Sequence, residues 1–140
     1  MVFQTKSSVE TIRIGKSIGS RLLPGDVVAL VGELGSGKTT LVRYLARILG
    51  VTDKVKSPSY VILNHYRSSV YHVYHLDFYR LAGENPWTAV DLQSLLNDPN
   101  GLVLIEWAEL VADYLPEQRL EIHFKHLGGE KRELQLNFKL

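Results

Sequence analysis

The stretch VALVGELGSGKTTLVRYLARILG, Val28 to Gly50, decides how the fold is read. An apolar run reaches Gly32, and Gly32-Glu33-Leu34-Gly35-Ser36-Gly37-Lys38-Thr39 then satisfies the spacing G-x-x-x-x-G-K-[ST]. The flanks agree with the motif. Asp26 to Val31 predicts a buried strand, and Thr39 to Leu49 a helix with Leu41, Tyr44, Leu45 and Ile48 on one side and Gly50 as its stop. Glycines at the fixed positions let backbone N–H groups turn inward around phosphate oxygens; Lys38 reaches the β and γ phosphates, and the Thr39 hydroxyl suits Mg²⁺. Gly35, Ser36, Gly37, Lys38, Thr39 and Thr40 are therefore the candidate phosphate-binding residues.

Outward from this unit the pattern alternates between helix and strand. Ser7-Ser8-Val9-Glu10 has capping-box spacing, and Val9, Ile12, Ile18 and Leu22 approximate one helical face before Pro24-Gly25. Tyr60 to Tyr66 and Val70 to Asp77 predict two strands joined around Arg67-Ser68-Ser69. A short helix is expected over Thr88 to Leu96, and the turn Asp98-Pro99-Asn100-Gly101 leads into the apolar strand Leu102 to Ile105. In the tail, Leu120-Ile122-Phe124 and Leu134-Leu136-Phe138 alternate on either side of Gly128-Gly129, as in a β-hairpin. The expected architecture is α/β: a compact phosphate-loop domain with a central mixed sheet, helices on its faces and a C-terminal hairpin.

Bulk composition sets limits. A chain of 140 residues with 45% hydrophobic and 22% charged content suits one core, so residues 1–140 are expected to form a single domain. The formal charge is +1 and the basic residues are scattered, which excludes a basic stripe gripping nucleic acid through many phosphates. Without cysteine there is no disulfide framework and no thiolate metal site. MVFQTKSSVE lacks the apolar centre of a secretion signal, and no apolar run approaches the roughly 18 residues of a membrane span, so the expected location is the cytosol.

A loop that binds a nucleoside triphosphate needs carboxylates to handle Mg²⁺ and the attacking water. Glu106 follows Leu102-Val103-Leu104-Ile105, a buried strand that delivers an acid at its C-terminal end. Asp77 ends another strand, and period-two geometry puts it on the same face as His75. Lys38, Asp77 and Glu106 are the candidate catalytic residues, and Thr39 and Glu106 the candidate metal ligands; a capping or solvated strand-end carboxylate is the alternative for each acid. His72 and His75 point to opposite sides of one strand, which argues against a metal pair. Ser57-Pro58-Ser59 is either an ordinary turn or a loop carrying hydroxyls toward the γ-phosphate, and Trp107 either packing or a stacking platform. Arg80 and Arg132 are further candidates to stabilise charge.

Four ordered motifs together resemble one family. Gly32 to Thr40, Val55-Lys56-Ser57-Pro58-Ser59-Tyr60, His75-Leu76-Asp77-Phe78-Tyr79-Arg80-Leu81 and Glu106-Trp107-Ala108 are similar to the motifs of the bacterial TsaE (formerly YjeE) proteins, P-loop ATPases of tRNA threonylcarbamoyladenosine biosynthesis. Ser59 stands where threonine is usual, Ala108 where proline is common, and Gly83 to Asn97 lacks the family's acidic pattern. The resemblance implies ATP and Mg²⁺ as ligands, TsaB and TsaD as protein partners, and tRNA reached only through their complex. It further implies hydrolysis that is slow alone and stimulated by partners.

The rivals are a small-molecule or nucleoside kinase of the same fold, which would need an acceptor pocket and usually an arginine-bearing lid, and a binding module whose docking ATP merely switches. A GTPase fits less well, because no N-K-x-D base-reading motif is present.

Overall fold

The computed structural model describes residues 1–33, 35–52, 63–68, 71–78 and 92–137. Its strands are β1 Val2–Thr5, β2 Val27–Gly32, β3 Leu63–Arg67, β4 His72–Asp77, β5 Gly101–Glu106, β6 Leu120–Gly128 and β7 Lys131–Leu136. They form one sheet in the order β1-β7-β6-β2-β5-β4-β3. β2 lies between parallel neighbours β5 and β6, and β4 is parallel to β5. The β1–β7, β6–β7 and β3–β4 pairs are antiparallel, which makes the sheet mixed, as expected.

Two elements depart from expectation at the sheet's far side. Val2–Thr5, noted in the sequence only for lacking a signal core, is an edge strand whose residues pair with β7 from Val2↔Gln135 to Thr5↔Arg132. The C-terminal hairpin is built into the sheet, because β6 pairs with β2 up to Gly32↔Phe124. The hairpin therefore flanks the point where β2 enters the phosphate loop.

Helix α1, Ser8–Gly19, starts as the capping signal predicts: Glu10 N donates to Ser7 Oγ at 3.3 Å, while the Glu10 carboxylate accepts from Lys6 N at 2.6 Å. Its buried face agrees with the predicted one at Ile18, and Leu22 beyond the helix end is buried as well, but the face departs from prediction in its first turns. Thr11, Gly15, Ile18 and Gly19 are buried, and Val9 is 61% exposed. The cause is helix α2, Lys38–Ile48, lying close against the glycines: a Cβ at Gly15 would stand 2.7 Å from Leu41 Cδ1, and one at Gly19 2.9 Å from Ile48 Cγ2. α2 buries Leu41, Val42, Leu45 and Ala46, so its inward face is rotated from the expected one and Ile48 is exposed.

Strand alternation gives the sheet two cores. Val28, Leu30, Leu102, Leu104 and Ile122 pack with Leu41 and Leu45 on the α1–α2 face. Val27, Ala29, Val103 and Ile105 pack on the other face with Leu76, Phe78, Val111 and Leu92, the last from helix α3, Leu92–Leu96. Full burial of such aliphatic side chains contributes roughly 1.5–3 kcal/mol each. A 3₁₀ segment that the sequence did not predict, Ala108–Tyr114, follows β5 and buries Ala108 and Val111. The predicted Ser57 to Ser59 loop, Arg80, the first part of the Thr88 to Leu96 helix, residues 60–62 and 70 of the two predicted strands, Ser69 of their connection, and Phe138 lie outside the described residues.

Candidate functional site

The phosphate loop is held by what lies beneath it. Gly32 is required because a Cβ there would meet the Phe124 carbonyl oxygen at 2.8 Å and Ser36 Oγ at 3.0 Å. Gly37 precedes α2 with φ of 109° and no side-chain cap, which leaves the first-turn N–H groups of the helix for an anion. Ser36 is 1% exposed, and its hydroxyl has no hydrogen-bond partner among the described residues. From the C-terminal hairpin, Arg132 Nε donates to Ser36 O at 2.9 Å, while Nη1 donates to Gly129 O at 2.7 Å. The hairpin turn is thereby tied to the loop backbone.

Lys38 is buried at the start of α2, with its ammonium donating to the Gly32 carbonyl and lying 4.0 Å from the Trp107 ring centroid. Burial pushes the Lys38 pKa below its ordinary value, against the opposing pull of the Glu106, Glu109 and Asp77 carboxylates. Trp107 holds φ of 58°, the only positive φ at a non-glycine among the described residues. Its ring packs against the Lys38 ammonium, an arrangement that favours the packing alternative over the stacking platform and adds a cation–π contact.

Next to Lys38, Thr39 Oγ1 donates to Glu106 Oε1 at 2.7 Å. The second oxygen of Glu106 lies 2.6 Å from His75 Nε2, and both residues are buried, at 2% and 0% exposure. Asp77 is the register partner of Glu106 across β4 and β5, so the two acids leave the sheet on one face. Gly35 and Thr40 are exposed at the rim of the loop. The structure thus brings Gly35 to Thr40, Asp77 and Glu106 to one end of the parallel strands. By contrast, His72 pairs with His65 at 3.1 Å on the opposite face, which agrees with the argument against a His72–His75 metal pair.

Two contacts were not anticipated. His75 served in the sequence only to place Asp77, yet it is the partner of Glu106. The signal was its shared face with Asp77 together with a buried acid on the adjoining strand, which has to find donors. Arg132, a candidate for charge stabilisation, instead braces the loop backbone in the geometry described.

The arrangement suits the groups it is expected to hold. Turned backbone N–H groups with a buried ammonium match a polyphosphate. A threonine hydroxyl that gives its proton to Glu106 keeps its lone pairs for a divalent cation.

Comparison with known proteins shows the family. Residues 5–134 match the family described as "Threonylcarbamoyl adenosine biosynthesis protein TsaE". The chain belongs to the TsaE family. Among relatives named tRNA threonylcarbamoyladenosine biosynthesis protein TsaE, that of Bacillus subtilis is 37% identical over 94% of this chain and 82% of its own length. The TsaE of Treponema pallidum is 36% identical over 93% of this chain and 95% of its own. The crystal structure of Bacillus subtilis YdiB superposes with a TM-score of 0.81 at 34% identity, covering 97% of this chain and 83% of that one. TsaE proteins take part in the biosynthesis of threonylcarbamoyladenosine in tRNA. No helix among the described residues is long and apolar enough to cross a membrane.

Proposed function

We propose that this TsaE-family chain binds Mg·ATP and hydrolyses it, working with TsaB and TsaD so that threonylcarbamoyl transfer to tRNA can proceed through their complex. The observation that carries the reading is the Thr39–Glu106 hydrogen bond beneath an uncapped glycine loop, because it joins a phosphate site to a buried acid at the ends of parallel strands. The loop amides and Lys38 neutralise phosphate charge. When bound, Mg²⁺ supplies Lewis-acid stabilisation of the phosphate oxygens, and Thr39 and Glu106 are the groups to hold it or its water. Asp77 orients the water whose oxygen attacks the γ-phosphorus as the bond to the β-phosphate bridging oxygen breaks, giving ADP and inorganic phosphate.

Single-turnover incubation with γ-labelled ATP in the presence of TsaB and TsaD tests this. Label in inorganic phosphate is the expected result. Label on a small acceptor would mean a kinase, and intact ATP with nucleotide-dependent docking would mean a switched binding module.

A further inference from the structure

Glu106 is a buried carboxylate with two different neighbours, Thr39 on Oε1 and His75 on Oε2. His75 is itself completely buried, and its Nδ1 has no partner among the described residues. Hydrogen-bond capacity then selects the tautomer. With the proton on Nδ1, a buried N–H would lack an acceptor, while the Nε2 lone pair would face a carboxylate oxygen at 2.6 Å. With the proton on Nε2, Glu106 gains a donor and only an acceptor is left unpaired, the less costly of the two.

We infer that His75 is a positioning residue: its Nε2–H holds Glu106 Oε2, so that Oε1 alone faces Thr39 and the phosphate loop. A carboxylate free to turn about its last bond would offer either oxygen, and Thr39 would lose a fixed acceptor. Partners of metal-binding carboxylates commonly act in this way, and their loss costs about 10–100-fold in metal affinity or activity. His75 also stands two residues before Asp77 on β4, so one strand carries both the brace of Glu106 and the acid proposed to orient water. The inference rests on the Mg·ATP reading for its consequence, although the hydrogen bond itself does not.

Three proteins test it: the parent, His75→Phe, which keeps the ring volume without a donor at Nε2, and His75→Gln, which restores an N–H at similar reach. The readout is the Mg²⁺ concentration giving half-maximal binding of a fluorescent ATP analogue, with metal-free nucleotide affinity and unfolding midpoint measured alongside. His75→Phe should need about 10–100-fold more Mg²⁺ with metal-free affinity unchanged, and His75→Gln should recover most of the loss. An unchanged Mg²⁺ requirement in His75→Phe, or a His75→Gln protein as impaired as it, overturns the proposal. Nitrogen-15 spectra of parental His75 add a readout that needs no nucleotide and no stable variant. The Nε2–H tautomer is required, and an Nδ1–H tautomer overturns the brace even if the parent binds no ATP. Parental failure to bind Mg·ATP with the Nε2–H tautomer present would instead refute the proposed function and, with it, the metal-side consequence of the brace.

Discussion

Thr39 and Glu106, 67 positions apart in the chain, are joined by a 2.7 Å hydrogen bond from Thr39 Oγ1 to Glu106 Oε1. The bond ties the first turn of α2 to the last residue of β5. Thr39→Ala and Glu106→Gln should each raise the Mg²⁺ concentration needed for ATP binding, and their effects should not add. Calorimetric titration of the parent, both single variants and the double variant should give a coupling energy of about 0.5–3 kcal/mol. Additive losses would separate the two residues functionally.

The sequence places Lys38 toward phosphate, and the structure adds a packing role: the residue is 4% exposed and its ammonium is bonded to the Gly32 carbonyl. Lys38→Ala should therefore destabilise the domain by about 1–3 kcal/mol, through lost packing and an unpaired carbonyl. Lys38→Met, which keeps the stem, should lose less. Both should fail to bind ATP at the concentration that saturates the parent. Urea unfolding with ATP titration checks the pair, and equal stability of all three proteins would refute the buried role.

Asp77→Asn keeps shape and removes charge beside Glu106. ATP affinity should stay within a few-fold of the parent, while hydrolysis in the partner complex falls on the order of 10²-fold or more. Near-parental turnover per folded molecule, with altered stability, would make Asp77 part of the scaffold.

At the other end of β4, Tyr74 donates its hydroxyl to Asp98 Oδ2 at 2.7 Å. Burial, reinforced by this bond and the Asp98 charge, pushes the Tyr74 pKa up from 10.0 to about 12. The bonds from Tyr74 and the Asn100 N–H hold Asp98 below its ordinary value. A raised tyrosine pKa stabilises the fold below pH 10.0, and that contribution is lost as pH rises toward about 12. The Asp98 contribution is present above the unfolded pKa of 3.8 and disappears as pH falls through the folded value. Tyr74→Phe should flatten the decline of stability above pH 10.0, measured by unfolding at a series of alkaline pH values. Identical slopes would exclude the Tyr74–Asp98 linkage.

What was legible in the sequence was local. The β2–loop–α2 unit is one uninterrupted motif, and Glu106 stands out because an apolar run ends in an acid. Contacts set by distant pairing were hidden. β1 is only four residues long and gains its meaning from β7, with Val2 opposite Gln135. The His75–Glu106 bond depends on the parallel register of β4 and β5, and the Arg132–Ser36 bond spans 96 positions. The face of α1 was legible at Ile18 and Leu22 but not in its first turns, for a different reason. Apolar periodicity gives glycine no weight, whereas Gly15 and Gly19 are where α2 comes closest.

Phosphate release from ATP with and without TsaB and TsaD, by the parent and by Lys38→Met on the same day, tests the central claim most directly. Parental release should be slow alone and rise when both partners are added, while Lys38→Met stays at background throughout. Release that is the same in the two proteins, in either condition above background, would contradict hydrolysis at this phosphate loop. So would a parent that stays at background with both partners present.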